Sequence, residues 1–178
     1  KVIPKNIDKI DFSKAISSIT TSVDSVNIYG EQEIVSKYEE SYIPVEVDVS
    51  GLSDSKSYTV VVPKPDGIRE VSEKTITVKI SLGKEESMEV NDIKIDAINL
   101  GPNLKAGAIG ENSSKTTVIV KGTKEVLDTI DATTIKATVD LSGLGEGEHT
   151  VEVKVTGEEV KANYFAKTTK IKVRISKS

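Results

Sequence analysis

Apolar residues occupy alternate positions over several stretches of this chain, and the pattern comes twice. Val26 and Ile28 run into Gly30, and Val118 and Val120 run into Gly122, a displacement of 92 residues. From there the displacement holds without a gap. Ile34, Val35 and Tyr38 fall on Val126, Leu127 and Ile130, Ile43 falls on Ile135, and Val47 on Val139. Asp48-Val49-Ser50-Gly51-Leu52 falls on Asp140-Leu141-Ser142-Gly143-Leu144. After a small insertion the copies rejoin, with Ile76, Val78 and Ile80 facing Ile171, Val173 and Ile175. A repeat of this kind marks one supersecondary arrangement used twice.

The periods name the elements. Val26 to Gly30 and Val118 to Gly122 read as strands that end on glycine. The apolar spacing i, i+1, i+4 at Val126, Leu127 and Ile130 puts those residues on one face of a short helix, with Thr123 as its N-cap. A period of two returns at Ile43, Val45, Val47, Val49 and at Ile135, Ala137, Val139, Leu141, predicting a strand with one wet face. The Asp-x-Ser-Gly-Leu that closes it is turn chemistry: Asp and Ser bond nearby backbone N–H groups, and Gly tolerates positive φ. Further strands are predicted over Tyr58 to Val62 and Thr150 to Val155, and over Thr75 to Ile80 and Thr169 to Ile175. Pro63 and Pro65 close the first of these, since neither can donate to a ladder. Ahead of the second copy, Met88-Glu89-Val90 and Ile93-Lys94-Ile95 read as short strands. Gly101-Pro102-Asn103 reads as a turn, and Gly107 and Gly110 bracket another short run. The matching part of the first copy, Lys1 to Ser25, is irregular and reads as trimmed or helical. The expected organisation is therefore two modules, at 1–82 and 83–178, mainly β with one short helix each.

Composition agrees. Val and Ile outnumber Leu several-fold, and Cβ-branched residues suit a pleated, half-buried surface. Aromatics are 4% and Trp is absent, so each core must be built from Val and Ile and stay thin. No Cys is present, which excludes disulfides and thiolate chemistry. No apolar run is long enough to span a bilayer. The sequence opens on Lys1, and the expectation is an excerpt whose anchor lies outside it. A net charge of -4 with only two Arg (Arg69, Arg174) argues against a nucleic-acid partner.

A strand ending in Gly, a short helix with an apolar pair, and a strand running into Val139-Asp140-Leu141-Ser142-Gly143 resemble the YbbR domain family. Val47-Asp48-Val49-Ser50-Gly51 and the stretch Gly145 to Val153 fit the same pattern. The resemblance covers nearly all of the chain as two consecutive domains, and it rests on spacing and turn residues. It implies a compact mixed-strand fold similar to the C-terminal domain of ribosomal protein L25. It also implies a membrane-anchored protein with these domains outside the cytoplasm, similar to regulators of the membrane diadenylate cyclase that makes cyclic di-AMP. The cyclase is then the implied partner, and the membrane is reached only through the anchor absent here.

Candidate chemistry is sparse. His149, the single histidine, lacks the convergent ligands of a metal site and the oriented partner of a triad. Asp48 and Asp140 recur, but the Ser and Gly beside them favour turn capping over acid–base work. The glycine-rich run from Gly143 to Gly147 precedes a strand, not a helix, so it reads as a hairpin connection rather than a phosphate cradle. Lys84-Glu85-Glu86 and Glu158-Glu159 lack the spaced ladder of a calcium loop, and Asn112-Ser113-Ser114 is a chance sequon. No catalytic or cofactor residues are assigned, no metal is expected, and the reading is non-enzymatic. The residues singled out are the repeated structural motif: Gly30, Asp48, Ser50, Gly51 and Gly122, Asp140, Ser142, Gly143. The alternatives are an immunoglobulin-like adhesive module binding wall polymer or another envelope protein, against which the helical pattern counts, and RNA binding by fold analogy, which the charge opposes.

Overall fold

The computed structural model describes residues 1–111 and 113–178, so the Asn112 sequon lies outside the described residues. The chain divides into two compact units, Lys1–Glu85 and Glu86–Ser178. The first contains strands β1 (Val2–Lys5), β2 (Lys14–Thr21), β3 (Ile28–Tyr29), β4 (Val45–Asp48), β5 (Lys56–Val61), β6 (Glu70–Val71) and β7 (Thr75–Lys84), with one helix, α1 (Gln32–Val35). The second repeats that order: β8 (Glu86–Ile98), β9 (Leu104–Ile109), β10 (Lys115–Gly122), α2 (Lys124–Leu127), β11 (Lys136–Asp140), β12 (Gly147–Thr156), β13 (Asn163–Ala166) and β14 (Lys170–Lys177). Both units are mainly β with one short α-helix, as the periods predict.

The second unit forms one sheet in the order β13-β10-β8-β11-β12-β14-β9. Two long strands hold it together by changing partner along their length. β8 pairs antiparallel with β10 through its first part and parallel with β11 through Ile95 to Ile98. Asp92, at φ 59, and a register shift between Thr116 and Val118 mark the bulge near that change. β12 pairs with β14 from Gly147 to Glu152 and with β11 from Val153 to Thr156.

The first unit has the same pairings except two, and falls into three small sheets: β2-β7-β5, β1-β4 and β3-β6. The two missing links are β1 with β3 and β4 with β5. β1 matches the Ile95–Ile98 part of β8. Prolines remove the second link. Val62 donates to the Lys74 carbonyl at 2.9 Å and Val153 to the Thr169 carbonyl at 2.9 Å, which aligns Pro63 with Lys154 and Pro65 with Thr156. Lys154 and Thr156 lie opposite Thr138 and Lys136 of β11. A proline there has no N–H to give, so β4 and β5 do not pair.

The core of the first unit is a cluster of Ile16, Val45, Val47, Val49, Leu52, Val62, Ile76, Val78 and Ile80. The second unit has the matching cluster, with Ile95, Val139, Leu141, Val151, Ile171, Val173 and Ile175. It adds a second one, in which α2 buries Val126 and Leu127 against Val118 and Val120 of β10, with Met88, Val90 and Ile93 packed alongside. Val26, Ile28, Ile34 and Val35, the counterparts in the first unit, are only half-buried.

The segment Lys1 to Ser25, expected to be trimmed or helical, instead forms β1, a 3-10 turn at Ile7–Lys9, and β2. A register shift between Ile16 and Ser18 breaks the alternation in β2, which is why its period was illegible. Met88 to Ile95 is part of one long strand rather than two short ones, and Gly107 lies inside β9 rather than at its end. β6 and β13 carry too few residues to show a period.

Candidate functional site: a repeated Asn–Asp–Ser turn

The residues that recur in sequence also recur in geometry. Asp48 ends β4, and its Oδ1 accepts from the Ser50 N–H at 2.9 Å. Asp140 ends β11, and its Oδ1 accepts from the Ser142 N–H at 2.9 Å. Gly51 (φ 70) and Gly143 (φ 71) follow in the left-handed region, where a Cβ would be strained. Each carboxylate has a further partner that sequence reasoning missed. Asn6 Nδ2 donates to Asp48 Oδ1 at 3.0 Å, and Asn99 Nδ2 donates to Asp140 Oδ1 at 3.1 Å. Both asparagines sit at φ 58, directly after β1 and β8. The pairing of parallel strands brings them there, since Lys5 lies opposite Asp48 and Ile98 opposite Asp140. The asparagines are 93 residues apart, one more than the main displacement, so an ungapped comparison passes over them. Their signal is an Asn before an apolar residue after an extended run, at a residue type that tolerates positive φ.

These bonds set the electrostatics of the turns. The Asn6 amide, followed by the Ser50 N–H and hydroxyl, holds the Asp48 carboxyl below its ordinary value. The Ser142 N–H, followed by the Asn99 amide, does the same for Asp140. Each carboxylate is thereby kept ionised and occupied as an acceptor, the opposite of what a general acid requires. An open depression of about 330 Å³ beside the first turn is lined by Asp48, Ser50, Leu52, Asp54, Lys56 and Tyr58. Among the described residues no group of three His, Cys, Asp or Glu is arranged to hold a metal ion.

Gly30 and Gly122 close the strands before the helices. A Cβ at Gly30 would stand 3.5 Å from the Arg69 backbone nitrogen, and one at Gly122 would stand 3.3 Å from Val126 Cγ1. The second figure is the tighter, and small size there lets α2 lie down on β10. His149 lies in β12 with Nε2 2.8 Å from the Gly145 carbonyl oxygen, so the tautomer protonated on Nε2 donates across the hairpin. The run Gly143 to Gly147 connects the antiparallel strands β11 and β12, with no helix behind it. Glu158 and Glu159 lie in the loop before β13, where the Glu159 carboxylate accepts from the Lys161 N–H at 3.0 Å. No helix among the described residues is long and apolar enough to cross a membrane.

The chain is 26% identical, over 166 residues and 92% of its length, to the CdaA regulatory protein CdaR of Bacillus subtilis (strain 168). It spans 34% of that protein, about a third of its length. A crystal structure of a YbbR-like domain from Listeria monocytogenes overlays on 52% of this chain and 95% of its own, at 15% identity and a TM-score of 0.45. A YbbR-like protein from Streptococcus pneumoniae covers 99% of this chain and 91% of its own, at 17% identity and a TM-score of 0.39. The YbbR-like protein family model matches twice, at residues 1–80 and 90–175, so the chain belongs to the YbbR-like family and carries two consecutive copies of its domain.

Proposed function

We propose that this chain is a non-enzymatic interaction part of a regulator of a membrane diadenylate cyclase, acting on cyclic di-AMP level from the extracytoplasmic side. The observation that carries the reading is the similarity to the CdaA regulatory protein CdaR along 92% of the chain. The site geometry supports it. The recurring carboxylates are consumed in turns that tie β1 to β4 and β8 to β11, which suits a scaffold that presents surfaces. Gly30, Asp48, Ser50, Gly51 and their counterparts Gly122, Asp140, Ser142 and Gly143 then hold the shape of each module. They are not the contact itself.

Coexpression tests the reading. The full-length protein, with its membrane anchor, is expressed beside the cyclase in a host that makes no cyclic di-AMP of its own. The expected result is a cyclic di-AMP level different from that with the cyclase alone. An unchanged level, with both proteins present in the membrane fraction, would sink it.

A further inference from the structure

β9 is the last strand of the seven-stranded sheet and, among the described residues, pairs only with β14. The Ser178 N–H donates to the Asn103 carbonyl at 2.9 Å, which fixes the phase of that ladder. Lys105, Gly107 and Ile109 bond to β14. The N–H and C=O groups of Leu104, Ala106 and Ala108 therefore point away from it. Among the described residues these three donors and three acceptors have no protein partner.

Natural sheets protect such an edge with charge, proline, shortness or a bulge. The corresponding edge of the first unit, β2, is bulged between Ile16 and Ser18. β13, at the opposite end of the sheet from β9, has only four residues. β9 has six residues, no proline, no bulge and one charge, Lys105. Leu104 and Ala106 pack on the core, Ala108 on the same face is exposed, and the other face carries Lys105, Gly107 and the half-buried Ile109. Gly107 is exposed, and a Cβ there would meet nothing within 4 Å.

We propose that the open edge of β9 is a self-pairing surface that takes the β9 strand of a second copy of this chain, antiparallel, about a two-fold axis at Ala106. This register matches the edge to itself. Leu104 bonds Ala108 of the second copy, and Ala106 bonds its own equivalent, so every open donor finds an open acceptor. Ala106 against Ala106 allows close approach at the centre. Lys105 lies across from Gly107 of the second copy, so the one charge on the edge faces no like charge and has room for its long side chain. A single strand pair is small beside the roughly 1,600 Å² of a standard interface, so the dimer is weak and depends on concentration.

The whole 178-residue chain is examined by sedimentation equilibrium up to about millimolar concentration, where weak dimers are populated. Gly107→Lys sets lysine against Lys105 of the second copy at two symmetric places, and Gly107→Glu sets glutamate there. Charges directly opposite one another across strands shift pairing in either direction, and two such pairs together change the dimer constant by at least about twofold. Dimerisation weakened by Gly107→Lys and tightened by Gly107→Glu, with both variants folded and only a small opposite shift of their thermal midpoints from Arg174, which lies across from Gly107 in β14, is the expected result. A chain that stays monomeric throughout overturns the proposal. So does a dimer whose constant neither change moves, because another surface would then be responsible.

Discussion

Asp48 and Asp140 each take two hydrogen bonds on one oxygen, and both carboxyls titrate lower in the fold than in an open chain. Asp131, bonded by Thr133, and Glu148, paired with Arg174, shift the same way. The sign follows from linkage. A depressed folded pKa contributes stability that is present above the unfolded value, near pH 4 for a carboxyl, and is lost as pH falls through the folded value. Stability should therefore decline below about pH 4, where these groups take up protons. Urea unfolding over a pH series should show a shallower acid limb for the double variant Asp48→Asn, Asp140→Asn. An acid limb as steep as the parent's would contradict the assignment. The glycines give a second prediction. Gly51→Ala and Gly143→Ala each place a Cβ in the left-handed region and should cost about 1–2 kcal/mol. Gly145→Ala, in open space without positive φ, should be close to neutral in the same assay. At this scale the Asp, Ser and Gly of each turn were legible because they recur in sequence at one displacement. Asn6 and Asn99 were not, because the strands that place them lie outside the ungapped block.

The two helices occupy equivalent places but are built unequally. The Thr123 side chain accepts from the Val126 N–H at 3.4 Å, and α2 buries Val126 and Leu127. Glu31 takes the N-cap position of α1 without a side-chain cap bond. Thr123→Ala should cost the second unit about 1 kcal/mol, and Glu31→Ser should stabilise the first by a similar or smaller amount, about 0.5–1 kcal/mol, in thermal or urea unfolding. The strands differ as well. The Val45 and Val49 N–H groups donate to the Lys1 and Lys5 carbonyls, so the Glu46 N–H between them points to the side that Pro63 leaves unpaired. In the second unit the equivalent N–H belongs to Thr138, opposite Lys154. Amide hydrogen exchange should be fast at Glu46 and slow at Thr138, and equal protection at the two would contradict the role given to Pro63 and Pro65. Helices, turns and most of the longer strands were readable from period and punctuation, but β8, the longest, reads as two short runs because Asp92, at φ 59, interrupts its alternation. The leading strands were not, because a bulge in β2 and the αL residues Asn6 and Ser13 interrupt the alternation. β3 and β6 are each two residues long, held by a pairing that no local pattern announces.

For the molecule as a whole, two modules of one kind carry no convergent catalytic set among the described residues. Their cores are built from Val, Ile and Leu, with small Ala residues filling in. In the role proposed above, resting on the likeness to the CdaA regulatory protein CdaR, the modules act through their faces and edges. The account therefore stands or falls on signalling output, not on turnover by this protein. The most direct measurement is cellular cyclic di-AMP in a strain lacking the full-length protein, in its parent, and in the strain re-expressing the full-length protein. The account predicts a reproducible change on loss that re-expression reverses. The same cyclic di-AMP level in all three strains would contradict it.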